Sequence, residues 1–244
     1  MIYIRIVVIS DVHGNREAFV RVMDSLKNEN IEGAALLGDL IDYGMHSNEV
    51  IEMIQSLKYP LLCNLRGNHE QAIITESYDR FSSKRGKDCA MYTHSVLNEN
   101  TWNYIKNIQN PWGISEFMIE EKRCAAVHGS LKDIFWKAIF PGEQDPAYGK
   151  YDYVFSGHSH LPHYFEVFYQ ADNKALRNKK KTVFINPGSV GQPRNLNPAA
   201  QYCILDTSTG QVDMRKVPYD ISAEQASYHG QVDDFYRERL KSGV

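Results

Sequence analysis

The chain has 244 residues, 43% hydrophobic and 23% charged, with 27 basic against 30 acidic side chains and a net charge of −3. That balance excludes a disordered, collagenous or disulfide-scaffold protein and leaves no global positive field to draw the chain to nucleic acid or an anionic membrane. No segment reaches the roughly 18–20 apolar residues of a membrane span, residues 2–9 lack the basic flank and cleavage site of a signal peptide, and the cysteines Cys63, Cys89, Cys124 and Cys203 form no C-x-x-C pair, so a cytoplasmic setting with reduced thiols is expected.

Residues 2–9 are an apolar, β-branched run broken only by Arg5, which predicts a strand buried on both faces. Ala18, Val22, Met23 and Leu26 then recur at helical spacing behind Asn15 as N-cap. A second strand is expected at 34–37. Val50, Ile51, Ile54 and Leu57 mark a second helix, entered through Ser47 or Asn48, and Pro60 ends it before a third strand at 61–65. Strands alternating with helices predict a parallel sheet with helices packed on it.

Residues 70–116 are polar and mostly helical in pattern, broken by Pro111 and Gly113. Residues 117–119 and 124–127 read as a strand pair turning at 120–123. Further strands are expected at 153–155, 163–169, 182–185, 202–206 and 211–217, with a hairpin turn at 207–210. The run Arg177-Asn178-Lys179-Lys180-Lys181 reads as a solvated hairpin loop in preference to a phosphate-binding patch. Residues 223–244 are a polar helix candidate. A parallel first part meeting a largely antiparallel second half predicts a β-sandwich covered by helices. Residues 1–220 are read as one domain with a helical insertion at about 70–110, and 221–244 as a helical tail packed on it or extending from it.

Polar clusters follow the expected strand ends: Asp11-Val12-His13, Gly38-Asp39-Leu40-Ile41-Asp42, Gly67-Asn68-His69-Glu70, His128-Gly129 and Gly157-His158-Ser159-His160. The carboxyl ends of parallel strands are where open α/β sheets place their sites. Asp11 and His13, at i and i+2 on extended backbone, would point the same way, as would His158 and His160. The glycines before Asp39, Asn68 and His158 suit tight turns. Imidazole with carboxylate suits Zn, Fe, Mn or Ni. The set Asp11, His13, Asp39, Asn68, His128, His158 and His160 exceeds one tetrahedral ion and divides over two metals, with Asp39 as the obvious bridge.

The ordered series D-x-H, G-D-x-x-D, G-N-H-E, H-G and G-H-x-H, running from Asp11 to about Arg194, resembles the calcineurin-like metallophosphoesterases. The stretch from Asn186 to Arg194 is similar to the subgroup of diadenosine-tetraphosphatase-related and small bacterial phosphodiesterase-like proteins. The resemblance implies a four-layer α/β/β/α sandwich of two mixed sheets flanked by helices. It implies a first metal held by Asp11, His13 and His160, a second held by Asn68, His128 and His158, and Asp39 bridging them. The ions would be divalent or trivalent transition metals (Mn, Fe, Zn or Ni). His69 would protonate the leaving oxygen or stabilise charge there, and Asp42 would orient it.

The implied reaction is hydrolysis of a phosphate ester or anhydride of a small, nucleotide-like substrate, by in-line attack of a hydroxide bridging the metals. The alternative is a Ser/Thr protein phosphatase, whose branch shares Arg66-Gly67-Asn68-His69-Glu70 but carries an arginine where this chain has Tyr43. The non-enzyme alternative is a scaffold on the same fold, which would lack ligands that this chain keeps. Asn15 reads first as a helix cap and second as a substrate contact. Arg194 would bind phosphate or anchor its loop. Trp136, Phe135 and Phe140 read as core anchors ahead of an aromatic wall for a nucleobase. The long connections at about 70–110 and 130–150 are where the organic half of the substrate is expected. The expected partner is a small phosphorylated molecule, with no membrane or nucleic acid, and oligomeric state is left open.

Overall fold

Alternation in the first strand sets the layers. In a computed structural model that describes residues 5–142, 144–177 and 179–244, β1 (Arg5–Ile9) sends Val7 and Ile9 to one face and Ile6 and Val8 to the other. Residues 2–4 of the expected strand, and Asn178 of the basic run, lie outside the described residues. Val7 and Ile9 meet α1 (Arg16–Leu26), α2 (Ser47–Gln55) and α5 (Glu99–Lys106) through Phe19, Val22, Ile51 and Ile105. Ile6 and Val8 meet the second sheet through Cys124, Ala126, Phe155 and Ile185. That dry layer between two sheets is the main product of the period-2 pattern.

The first sheet has β2 (Gly33–Leu36) and β3 (Leu61–Asn64) parallel to β1. β9 (Ala200–Asp206) pairs antiparallel on its other edge, and β10 (Gln211–Val217) antiparallel to β9. The second has β5 (Lys122–Val127), β6 (Tyr153–Ser156) and β8 (Lys181–Asn186) parallel, with β4 (Ile114–Ile119) and β7 (His163–Phe168) antiparallel at its edges. The result is the expected sandwich of two mixed five-stranded sheets flanked by helices. α3 (Asn68–Thr75) and α4 (Lys84–Val96) complete the helical stretch between β3 and β4. Residues 131–142 and 144–151, including a 3-10 turn at Pro146–Lys150, cover the outer face of the second sheet through Ile139, Tyr148 and Tyr151. No helix among the described residues is long and apolar enough to cross a membrane.

Two expectations are corrected. α2 is entered through His46, because the Ser47 hydroxyl is taken by the Asp42 amide at 3.1 Å. The tail is not one helix. It is α6 (Ile221–Gln225), a turn containing Gly230 at φ +83°, then α7 (Phe235–Glu238) and a 3-10 turn at Arg239–Lys241. Its polar composition hides buried Tyr228, Tyr236 and Leu240, which pack with Tyr43 and Cys89.

The tail also buries Glu224, whose carboxylate accepts from the Glu17 amide (3.3 Å) in the first turn of α1. Burial pushes this carboxyl up to about 8. The folded value lies above the unfolded one, so the unfolded chain loses its proton first. Stability therefore falls as pH rises from the ordinary carboxyl range to about 8 and then levels off. Glu224→Gln is expected to stabilise the protein by about 2 kcal/mol at pH 9, roughly 4–8 °C in Tm, with little change at pH 4. Thermal unfolding of both proteins at the two pH values checks this, and an equal shift at both would contradict it.

Candidate metal centre

The five strand-end clusters do meet. The turns after β1, β2, β3, β5 and β6 bring Asp11, His13, Asp39, Asn68, His128 and His160 into one buried cluster, with His158 half-buried at its mouth. They do not arrive on extended backbone as expected. Asp11 and His13 have φ +54° and +49°, Asp39 has +52°, and His158 and His160 have +66° and +57°. Left-handed backbone is uncommon for such residues and concentrates at functional sites. It curls each loop off its strand so that side chains converge, which the pleat alone would not do. Gly67 is required here: a Cβ would lie 2.1 Å from Asp39 Oδ1.

Main-chain carbonyls fix the histidine tautomers. The Nδ1–H of His13 donates to Ile41 O (3.2 Å), that of His128 to Leu37 O (2.7 Å) and that of His160 to Gln192 O (2.6 Å). A carbonyl can only accept, so in the neutral rings each Nε2 is a bare lone pair. The Nε2 atoms of His13 and His160 face each other at 3.1 Å. Asp11 Oδ1 lies 3.3 Å from His160 Nε2 and 3.9 Å from His13 Nε2. Asp39 Oδ2 lies 3.7 Å from His13 Nε2 and 3.3 Å from His128 Nε2. Asn68 Oδ1 lies 2.9 Å from His128 Nε2 and 2.8 Å from His158 Nδ1.

Asp11 Oδ1 and Asp39 Oδ2 are buried with no hydrogen bond. Burial holds the His13 and His160 rings well below the ordinary histidine value, so both are neutral. Buried carboxylate oxygens and facing lone pairs are costly without a cation. The donors form two groups, Asp11–His13–Asp39–His160 and Asp39–His128–His158, and within each the ligand atoms lie within 4.8 Å of one another. Asp39 belongs to both. The donor set fits transition-metal ions.

His69 stands apart from both groups. Its Nδ1 is 2.5 Å from Asp42 Oδ2, and the other oxygen of Asp42 accepts from Thr93 Oγ1 at 2.7 Å. Its Nε2 faces the cluster, 3.9 Å from Asp39 Oδ2. Burial opposes the imidazolium, but Asp39 and Asp42 outweigh it and raise the His69 pKa. The ring is wedged between Tyr43, Phe81 and His13 at centroid distances of 4.5, 5.0 and 4.7 Å.

Above these residues opens a cleft of about 360 Å³. Tyr43, Phe81 and Trp136 form its walls, and Arg80 and Arg194 stand at its rim. Arg194, expected either to bind phosphate or to anchor its loop, lines this cleft. Asn15 does not: it is fully buried, accepts from the Ala18 amide, and donates to Gly191 O and Tyr219 Oη at 3.0 and 3.1 Å. Its capping role accounts for the whole side chain, and the substrate-contact reading is withdrawn. Trp136 packs against the core and also lines the cleft, whereas Phe140 is 50% exposed and anchors nothing. Arg80, Phe81 and Thr93 escaped the sequence reading, since they sit in a polar stretch with no motif. Tyr228 and Tyr236 had a faint signal, since with Phe235 they are the aromatics of a mostly polar tail.

Paired ligand groups at strand ends of a two-sheet sandwich are an arrangement that suits a metal-dependent enzyme. The family model of the calcineurin-like phosphoesterase superfamily domain matches residues 4–210, and the chain belongs to that family of metal-dependent phosphohydrolases. It is 32% identical to the uncharacterized protein MJ0912 of Methanocaldococcus jannaschii over 100% of both chains. It is 23% identical to phosphodiesterase YfcE of Escherichia coli, over 81% of this chain and 84% of that one. A metallophosphoesterase from Sphaerobacter thermophilus superposes with a TM-score of 0.73 at 25% identity, covering 99% of this chain and 100% of the other.

Proposed function

We propose that the two ligand groups hold two transition-metal ions, with Asp39 shared between them, and that the protein hydrolyses a phosphate ester or anhydride of a small, nucleotide-like molecule. The observation that carries this is the membership of Asp39 in both groups, with its Oδ2 buried and unbonded. Bound there, such ions would supply the positive charge that offsets the phosphoryl oxygens and the acidity that readies a water for in-line attack. Asp11, His13 and His160 would serve one ion, and Asn68, His128 and His158 the other. His69 directs Nε2 into the cleft and would give its proton to the leaving oxygen. Asp42, fixed by Thr93, holds that ring in place and favours its protonated form. Arg194 would take a phosphoryl oxygen, and Trp136 and Phe81 would flank the organic group. Residues 1–220 would form one catalytic domain, with 221–244 packed on it, working in the cytoplasm. The relative YfcE is named a phosphodiesterase, which supports a diester substrate.

The test is to strip metal, reconstitute with Mn²⁺, and compare diadenosine tetraphosphate, bis-p-nitrophenyl phosphate and p-nitrophenyl phosphate, with a chelator control. Chelator-sensitive turnover, faster for the first two than for the monoester, is expected. No turnover of any of them with two ions bound would favour the scaffold alternative, and faster release from phosphopeptides would favour a protein phosphatase.

A further inference from the structure

Asp42 and Tyr43 are consecutive residues in left-handed backbone, at φ +73° and +63°. That conformation is rare for a bulky side chain and persists only where the surroundings hold it. Here they do. The Gly44 amide donates to His13 O at 2.9 Å, and a Cβ on Gly44 would lie 2.5 Å from the same oxygen, so the loop is pressed onto the His13 turn. The C-terminal tail fixes Tyr43 as well. The Tyr228 hydroxyl donates to Tyr43 O at 3.1 Å, and the Tyr236 ring stacks on the Tyr43 ring at a centroid distance of 4.6 Å. On its other sides the Tyr43 ring meets His13 at 4.6 Å and His69 at 4.5 Å. The hydroxyl is left over. Tyr43 is only 8% exposed, yet among the described residues its hydroxyl has no hydrogen-bond partner, and it is not sealed from solvent. The residue lines the cleft together with Asn68, His69, His158 and Arg194. A phenylalanine could make the same three ring contacts, so packing does not call for the oxygen. A phenol can donate a hydrogen bond to a phosphoryl oxygen. Arg80, also on the cleft, is engaged by Asp133 at 2.5 Å.

We infer that the Tyr43 hydroxyl is a substrate-binding group, which donates a hydrogen bond to a phosphoryl oxygen held over the ligand cluster. This rests on the hydrolase reading and deepens it, adding to the site a residue that belongs to neither ligand group. The backbone strain at Tyr43 is what brings its ring between His13 and His69 with the hydroxyl free. Tyr228 and Tyr236, which hold it there, lie outside the family match to residues 4–210.

The test uses the Mn²⁺-loaded protein, wild type, Tyr43→Phe and Tyr236→Phe, titrated calorimetrically with inorganic phosphate and assayed on bis-p-nitrophenyl phosphate. Tyr43→Phe keeps the ring and removes only the hydroxyl. Tyr236→Phe removes a hydroxyl one ring further back and keeps the stack. On the scale of a hydrogen bond to a charged group, Tyr43→Phe is expected to bind phosphate about tenfold or more weakly, and to lose about tenfold or more of kcat/KM. Its Mn²⁺ content should stay at the wild-type level. Tyr236→Phe should match the wild type in phosphate affinity and turnover. Unchanged phosphate affinity in Tyr43→Phe would overturn the contact. An equal fall in Tyr236→Phe would also overturn it, by showing that the loss is one of packing. A wild type that binds phosphate but does not turn over the diester would sink the hydrolase reading, while the titration would still decide the role of Tyr43.

Discussion

Asp39→Asn is expected to remove about 10³-fold or more of kcat/KM while leaving the fold intact. Changing a residue that merely orients a ligand costs about 10–100-fold, and Asp39 would be a direct ligand in both groups at once. Its two oxygens do different work. Oδ1 accepts the His69 amide at 2.9 Å, a bond the carboxamide oxygen can keep. Oδ2 has no hydrogen bond and faces His128 Nε2 at 3.3 Å, where an NH₂ can donate to the bare lone pair. The metal-free variant should keep the fold but be less stable than the metal-free wild type, since the buried His128 and His69 rings lose the carboxylate that favours their charged forms. Steady-state kinetics and thermal unfolding with and without Mn²⁺ check both halves. Loss of folding would show that Asp39 is structural, and near wild-type turnover would show that it is no shared ligand.

His69→Ala should separate metal binding from proton transfer. The backbone amide that holds Asp39 Oδ1 survives the change, and the ring belongs to neither ligand group. Metal content should stay at the wild-type level. Turnover should fall by about 10²–10⁴-fold on substrates with a poor leaving group, the range of general acid catalysis. On p-nitrophenyl esters, whose leaving group needs little protonation, the fall should be much smaller. Asp42→Asn should follow the same leaving-group trend with a smaller loss, because Asp42 acts only by positioning the His69 ring. A fall in metal content that parallels the loss of activity would contradict this assignment.

The strand-end clusters were legible in sequence because a strand buried on both faces reads as an unbroken apolar run, and a polar residue after it announces the turn. Residues 5–9 followed by Asp11 and His13 are the clearest case. What the period-2 rule could not give was the turn geometry. Extended and left-handed backbone leave the same i, i+2 spacing, and the left-handed turn at Asp11 and His13 goes with close packing of Gly191 on Val12 O and Gly44 on His13 O. The tail failed for a different reason. Glu224, Tyr228, Tyr236 and Leu240 fall at multiples of four, a spacing that suits one continuous helix, and only the structure shows the chain turning at Gly230 (φ +83°). Arg80 and Phe81 reach the cleft through tertiary contacts with Asp133 and Trp136, far away in the chain.

The central claim is a two-metal centre shared through Asp39. The most direct measurement is the Mn²⁺ content of the reconstituted protein, taken together with its electron paramagnetic resonance spectrum. Two ions per chain with an exchange-coupled spectrum is the predicted result, because the ligand groups share one carboxylate. A single uncoupled ion at saturating Mn²⁺, or none, would contradict it.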